Sequence, residues 1–414
     1  MVDRRPYCST YQRDFGPHNF RKTHSEQKDN RFRSRDDDSC RAKRAHGHFQ
    51  PNDLPPKVPP RSRDGLEEQI KATIYGQCIG DAIGLLTEFM SKNDARKHYG
   101  HISNLKFSDK IRDRHRDRWV VGDWTDDSDH MILIMQSLTE MRGKVDPKDF
   151  AKKLYDWSKK GFEKLNDHAG MGLGRTTHGI LSQPRFLSNP EKTAEDVWMN
   201  KGGVDAPNGG VMRTSILGIH EWWNVDKVEN NADIICRTTH YDPRCRASAV
   251  AVAVAISLMF QRQKEHFDDI TRTYQVENII SEATERASKY LKDDYEKMEL
   301  RQCMSCKNPI ELKLDEEEKM GYTFKCLGAA FWALRQDKFQ SAIQKLVMEG
   351  GDADTNCAVA GALLGCKLSL RRNLPPQWLS DLTNKAWLEQ QIERYLEVHD
   401  EMYGKARQHQ ESRE

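Results

Sequence analysis

The segment from Gly350 to Cys366, GGDADTNCAVAGALLGC, sets the narrowest limits on what this chain can fold into. Its second half is rich in Ala and Gly, the composition of a helix whose axis lies close to its neighbours at the centre of a bundle. Its first half puts Asp352 and Asp354 directly ahead of that apolar run, where an unpaired carboxylate is costly to bury. The same arrangement recurs in Gly122-Asp123-Trp124-Thr125-Asp126-Asp127-Ser128-Asp129, which leads into an apolar helix from about Met131 to Met141. A third acidic segment, Gly80-Asp81-Ala82-Ile83-Gly84-Leu85-Leu86-Thr87-Glu88-Phe89, ends on a Glu among apolar neighbours, a setting that perturbs a carboxylate. The fold must therefore bury several helices and also find a use for the acids at their ends.

Helical spacing dominates elsewhere. Apolar residues at Ile70, Ile74, Cys78 and Ile79 share one face of a helix expected over Glu67–Met90. Further helices are expected around Leu154 and Trp157, over Val211–Trp223 and Ile279–Leu291, and over Asn384–Met402. The run Ala247–Phe260 alternates Val with Ala but offers no polar face, which favours a buried helix over a strand. At 14 residues that run is shorter than the roughly 20 a membrane span requires, so the chain reads as soluble. The fold class that follows is all-α, a compact multi-helix domain over residues 65–404. Residues 292–319 are poorly patterned and charged and read as a surface insertion, and residues 405–414 as a fraying tail.

Charge separates the first 64 residues from the rest. The chain holds 65 basic and 63 acidic residues; 15 and 9 of these lie in residues 1–64, leaving 50 against 54 beyond. The N-terminal part is poor in Leu, Ile and Val and ends in the Pro-rich PNDLPPKVPP, a composition that cannot offset its ordering entropy, so it reads as a disordered arm. Asp36, Asp37 and Asp38 interrupt its basic run and no aromatic platform accompanies it, so nucleic acid is not an expected partner. Residues 1–30 lack the apolar stretch of a secretory signal. With ten cysteines and no dense Cys framework, the expected setting is a reducing one, cytoplasm or, as an alternative, nucleus. Cys303 and Cys306 have the spacing of half a zinc site but no second pair nearby, and read as plain thiols.

The acids at the helix starts could serve only as caps. One cap needs one such residue, however, and Asp126, Asp127 and Asp129, or Asp352 with Asp354 and Thr355, exceed that need. Their oxygens are hard ligands without Cys or His among them, which suits Mg²⁺, Mn²⁺ or Ca²⁺ and argues against Zn²⁺. A site shared by two metals would call for this many carboxylates.

Five segments in this order, GDAIGLLTEF, WTDDSD, NGGVMR at Asn208–Arg213, the pair Thr239-His240, and GGDADTN, resemble the ADP-ribosylglycohydrolase family. That family includes the dinitrogenase reductase-activating glycohydrolase and the animal ADP-ribosyl-acceptor hydrolases. The resemblance covers roughly residues 70–379. It implies an orthogonal all-α fold and two divalent ions, Mg²⁺ or alternatively Mn²⁺, held by Glu88, Thr125, Asp126, Asp127, Asp352, Asp354 and Thr355. In the place of Asp354 the family has the residue that bridges the metals. Glu88 matches a Glu that lies at metal and ribose and is implicated in catalysis. The loop Asn208, Gly209, Gly210, Val211, Met212 and Arg213 would wrap the ADP-ribose phosphates and ribose, with Arg213 adding charge, and His240 would contact substrate.

The implied activity is hydrolysis of the C1″ glycosidic bond of an ADP-ribosylated protein or small molecule by a monomer, with release of ADP-ribose. The family also holds lens crystallin relatives thought to have lost catalysis, so an ADP-ribose-binding or structural protein is the alternative, and a two-metal phosphohydrolase a further one. Ser128 stands where the family's motif commonly has a second Thr. The loop Gly170–Gly174, GMGLG, does not fit a dinucleotide fingerprint and reads as a hinge or turn.

Overall fold

The structure, a computed structural model, describes residues 61–369 and 374–412, so the expectation of a disordered arm over residues 1–60 lies outside the described residues. The last residues assigned to that arm are folded. Arg61 donates to the Phe260 carbonyl and to Gln69 Oε1, both at 2.8 Å, and the Ser62 side chain caps the first helix.

Helices follow in the order α1 (Arg63–Gly84), α2 (Lys92–Tyr99), α3 (Asp126–Glu140), α4 (Pro147–Lys160), α5 (Arg175–Leu181), α6 (Pro190–Asn200), α7 (Ser215–Ile219), α8 (Val225–Arg237) and α9 (Pro243–Gln261). The second half adds α10 (Val276–Ser288), α11 (Asp294–Met304), α12 (Thr323–Leu334), α13 (Phe339–Val347), α14 (Ala353–Leu368), α15 (Pro376–Asp381) and α16 (Lys385–Glu411). Among the described residues, extended pairing is limited to Phe267–Asp268 against Thr273–Tyr274 and two isolated bridges. The all-α reading is thus correct, and the Val/Ala alternation of residues 250–255 is helical, inside α9. That helix has 19 residues, longer than its apolar run, and 89% of its apolar window is buried by its neighbours.

The centre of the fold is the antiparallel contact of α1 with α14. Gly76, Gly80 and Gly84 recur every fourth residue, which makes one row along a helix surface. A Cβ on Gly76 would lie 2.3 Å from the Gly361 carbonyl oxygen, one on Gly80 2.0 Å from that of Cys357, and one on Gly84 2.4 Å from that of Ala353. The two backbones therefore touch directly. This contact sets the C-terminal end of α1 beside the N-terminal end of α14, with Asp81 on one and Asp354 on the other.

Three boundaries differ from the sequence reading. Helix α1 stops at Gly84, before Met90, because the chain turns back onto α14: Phe89 takes a left-handed φ of 61° and donates its N–H to the Gly351 carbonyl at 2.6 Å. The stretch Val211–Trp223 is helical only over α7, its apolar residues being buried from turns on either side. Helix α16 runs on to Glu411, past the point where the tail was expected to fray. The presumed surface insertion is also tied in, since Leu300, Met304 and Leu314 are buried and Asp315 accepts from the Lys92 N–H at 2.8 Å.

The glycine row makes a direct prediction. Gly80→Ala should lower stability by about 3 kcal/mol, because the new methyl meets a backbone carbonyl that cannot swing away. Gly179→Ala, where a Cβ meets nothing within 4 Å, should be neutral or raise stability by up to about 1 kcal/mol. Urea denaturation of the two variants checks the contrast.

Candidate active site

The start of α3 is capped without its aspartates. The Thr125 side chain accepts from the Asp127 N–H, and Asp81 on α1 accepts from the Thr125 N–H at 2.9 Å, the Ser128 N–H at 3.0 Å and the Ser128 hydroxyl at 2.7 Å. Burial pushes Asp81 up to about 6 even so. Ser128 thus keeps the hydroxyl that anchors the helix start. At α14 the residue ahead of the first turn is Asp352, and its side chain makes no capping bond. Asp126, Asp127, Asp352 and Asp354 are consequently left over from capping, which disposes of the capping explanation for them.

The two helix starts converge. The Thr125 hydroxyl donates to Asp127 Oδ2 at 3.3 Å and lies 3.4 Å from Asp354 Oδ2, and the Thr355 side chain bonds to Asp127 and Asp352. Glu88 reaches the same place from the turn after α1, with an oxygen within 4.8 Å of oxygens of Asp352 and Asp354. The seven residues expected to hold metal, Glu88 among them, are therefore brought together. Asp129 is not with them: its two oxygens accept from the indoles of Trp124 at 2.7 Å and Trp157 at 3.2 Å. Its part is structural, in contrast to its place in the acidic surplus counted from sequence.

Burial, then repulsion from neighbouring carboxylates, pushes Asp126, Asp127 and Asp354 well above the usual aspartate range. Asp127 Oδ1 and Asp354 Oδ1 are buried without a hydrogen-bond partner. Acceptor-only oxygens left without donors, in a group of like charges, are the donor set a hard divalent cation fits.

The Asn-Gly-Gly turn closes one side. Asn208 Nδ2 donates to Asp352 Oδ2 at 2.8 Å, and the turn is laid along residues 321–323 through Asn208 N–H to the Gly321 carbonyl at 2.9 Å. A Cβ on Gly209 would lie 2.9 Å from His240 Nε2, so only glycine lets the backbone rest on that ring. The rest of the loop departs from expectation. Val211 and Met212 put their side chains in the hydrophobic core. Arg213 is fully buried, lies 5.0 Å over the Phe150 ring and donates to Thr239 Oγ1 at 2.6 Å. It cannot offer charge to a phosphate in the cleft. Instead Arg213 and His240 meet on one hydroxyl, since Thr239 Oγ1 also lies 2.8 Å from His240 Nδ1, and the other ring nitrogen, Nε2, lies beneath the turn. Burial and then Arg213 hold His240 well below the usual range, hence neutral.

Two parts of the site were not found from sequence. The GMGLG loop does more than turn: Gly172, at φ +93°, sits so near Asp126 that a Cβ would be 2.3 Å from its Oδ1. The segment around His115 alternates Arg with Asp and carries no motif or periodicity that marks a site. Yet His115 Nε2 lies 2.6 Å from Glu88 Oε2. Cys303 and Cys306 are free thiols, as expected.

Fold and site define an all-α protein with a buried carboxylate centre at a helix–helix junction. The chain belongs to the ADP-ribosylglycohydrolase family, whose sequence model matches residues 62–406. An uncharacterized protein of Archaeoglobus fulgidus is 27% identical over 341 residues, covering 81% of this chain and 98% of its own length. The ADP-ribosylarginine hydrolase Tri1 of Serratia proteamaculans is 24% identical, with 80% and 79% covered. The ADP-ribosyl-dinitrogen reductase glycohydrolase of Rhodospirillum rubrum is 23% identical, with 80% and 96% covered. A solved structure described as an ADP-ribosylglycohydrolase-related protein complex shares the fold, with a TM-score of 0.55 at 22% identity over 81% of this chain and 99% of that one.

The electrostatics give a signed prediction for protein stripped of metal. Carboxylates whose folded values are raised contribute stability below about pH 4 that is lost as pH rises through their raised values. Chelated protein should therefore melt at lower temperature at pH 7.5 than at pH 5.5. Saturating Mg²⁺ or Mn²⁺ at about 100 times its Kd should restore roughly 5 °C at pH 7.5, and less at pH 5.5. Thermal melts at the two pH values, with chelator and with metal, test this.

Proposed function

We propose that this protein hydrolyses the C1″ glycosidic bond between ADP-ribose and its acceptor, releasing ADP-ribose. It does so with two divalent ions, Mg²⁺ or Mn²⁺, held by Thr125, Asp126, Asp127, Asp352, Asp354 and Thr355, with Glu88 beside them. The observation that carries the reading is the meeting of two helix starts, Thr125 hydroxyl to Asp354 at 3.4 Å, with the aspartates spared from capping. Family membership and the names of the Serratia and Rhodospirillum relatives support the reaction class. The intact acid set favours an enzyme over a binding protein that has lost catalysis.

Ions bound in such a centre supply a polarised water and positive charge where negative charge develops. The remaining work falls to the chain. Asn208 restrains Asp352, so that the carboxylate and the Asn-Gly-Gly turn move as one unit. The bare backbone of Gly209 and Gly210 leaves room for a nucleotide sugar against the turn, with the Nε2 of His240 below it. Glu88 exchanges the proton of the reaction, either with the attacking water or with the departing acceptor atom. A monomer and a reducing compartment belong to the same proposal, the compartment being consistent with the described cysteines, all of which are free thiols.

Asp126→Asn and Asp354→Asn should each lose metal binding and slow ADP-ribose release by about 100-fold or more, with helical circular dichroism unchanged. Release is measured on arginine- and serine-linked ADP-ribosyl peptides with Mg²⁺ and again with chelator. Wild-type rates in both variants, or AMP in place of intact ADP-ribose, would contradict the assignment.

A further inference from the structure

Glu88 is fixed at its backbone from two directions. Buried Arg116 donates from Nε to the Leu86 carbonyl at 2.9 Å and from its NH2 group to the Glu88 carbonyl at 2.5 Å. On the other side the Phe89 N–H is bonded to Gly351. What this leaves free is the rotation of the Glu88 side chain, a flexible one with costly rotamer entropy. That rotation decides whether the carboxylate faces the aspartates or the cleft mouth.

His115 is the group that settles it. Its Nε2 is 2.6 Å from Glu88 Oε2, and its Nδ1 is 2.6 Å from the guanidinium of Arg118, which also donates from Nε to the His115 carbonyl at 3.1 Å. A guanidinium only donates, so Nδ1 must accept and the ring proton of a neutral His115 stands on Nε2, aimed at Glu88. The imidazole is itself braced between the rings of Phe89, at 5.0 Å, and Trp119, at 5.3 Å, and Arg118 lies 4.4 Å over the Trp119 ring.

We propose that His115 is a positioning residue for Glu88: its Nε2–H, set in that tautomer by Arg118, holds the Glu88 carboxylate toward Asp352 and Asp354. The proposal rests on the reaction assigned above, and its physical content is that of a hydrogen-bonded partner orienting a ligating or proton-exchanging carboxylate. Loss of such partners typically costs about 10–100-fold in metal affinity or activity.

Two substitutions separate positioning from packing. His115→Leu removes the donor and keeps bulk, whereas His115→Gln retains an amide N–H for Glu88 and an amide oxygen for Arg118. With purified full-length protein, four quantities are read: kcat and KM for ADP-ribose release, Mn²⁺ affinity by titration without substrate, and melting temperature. In His115→Leu, kcat or Mn²⁺ affinity should fall by about 10-fold or more, with KM and melting temperature near wild type, and His115→Gln should recover most of the loss. Wild-type values in His115→Leu, or equal losses in both variants, would overturn the proposal. If the wild-type protein binds Mn²⁺ but releases no ADP-ribose, the functional reading fails while the Mn²⁺ series still decides on His115.

Discussion

The backbone-to-backbone contact between α1 and α14 is the constraint on which the rest depends. Three glycines on α1 let the carbonyls of Ala353, Cys357 and Gly361 come closer than any side chain would allow. Because the helices run antiparallel, the contact is also an address: it delivers the end of one helix to the start of the other. Asp81, Glu88, Asp352 and Asp354 arrive at one place through this packing rather than through any attraction among themselves, since like charges repel. The isolated bridge between Met90 and Gly351 then closes the junction beyond the last glycine.

Packing of this kind creates an electrostatic problem that the chain only partly answers. Hydrogen bonds from Thr125, Ser128 and Asn208 satisfy Asp81 and one oxygen of Asp352. Arg118, half-buried at the rim, is the cation whose field reaches Glu88, Asp126 and Asp354. Two buried arginines nearby are spent elsewhere, Arg116 on the Leu86 and Glu88 carbonyls and on Asp113, and Arg213 on Thr239. A centre with more negative charge than the protein supplies in positive charge is unstable at neutral pH unless something else brings the balance, and hard oxygen ligands favour a divalent cation for that part.

Much of this was legible in the sequence because the chemistry is written in short runs. Carboxylates set ahead of Ala/Gly-rich helices announced both the central packing and the acids at its end, and the seven residues expected to hold metal do converge. What could not be read is direction. Arg213 follows an Asn-Gly-Gly turn as a phosphate-binding arginine would, yet its side chain is buried against Thr239 and the Phe150 ring. Asp129 continues an acidic run yet faces two indoles one turn further along α3. His115 lies in a charged loop with no periodicity to mark it, and only the fold of that loop over the turn after α1 gives it a partner. Residue type and spacing fix which groups are available; the third dimension decides which of them face one another.

The central claim, that the joined helix ends hold divalent ions, is tested most directly by anomalous diffraction from crystals grown in Mn²⁺. The account predicts two manganese peaks bounded by Thr125, Asp126, Asp127, Asp352, Asp354 and Thr355. Absence of any peak among these residues at saturating Mn²⁺ would contradict it.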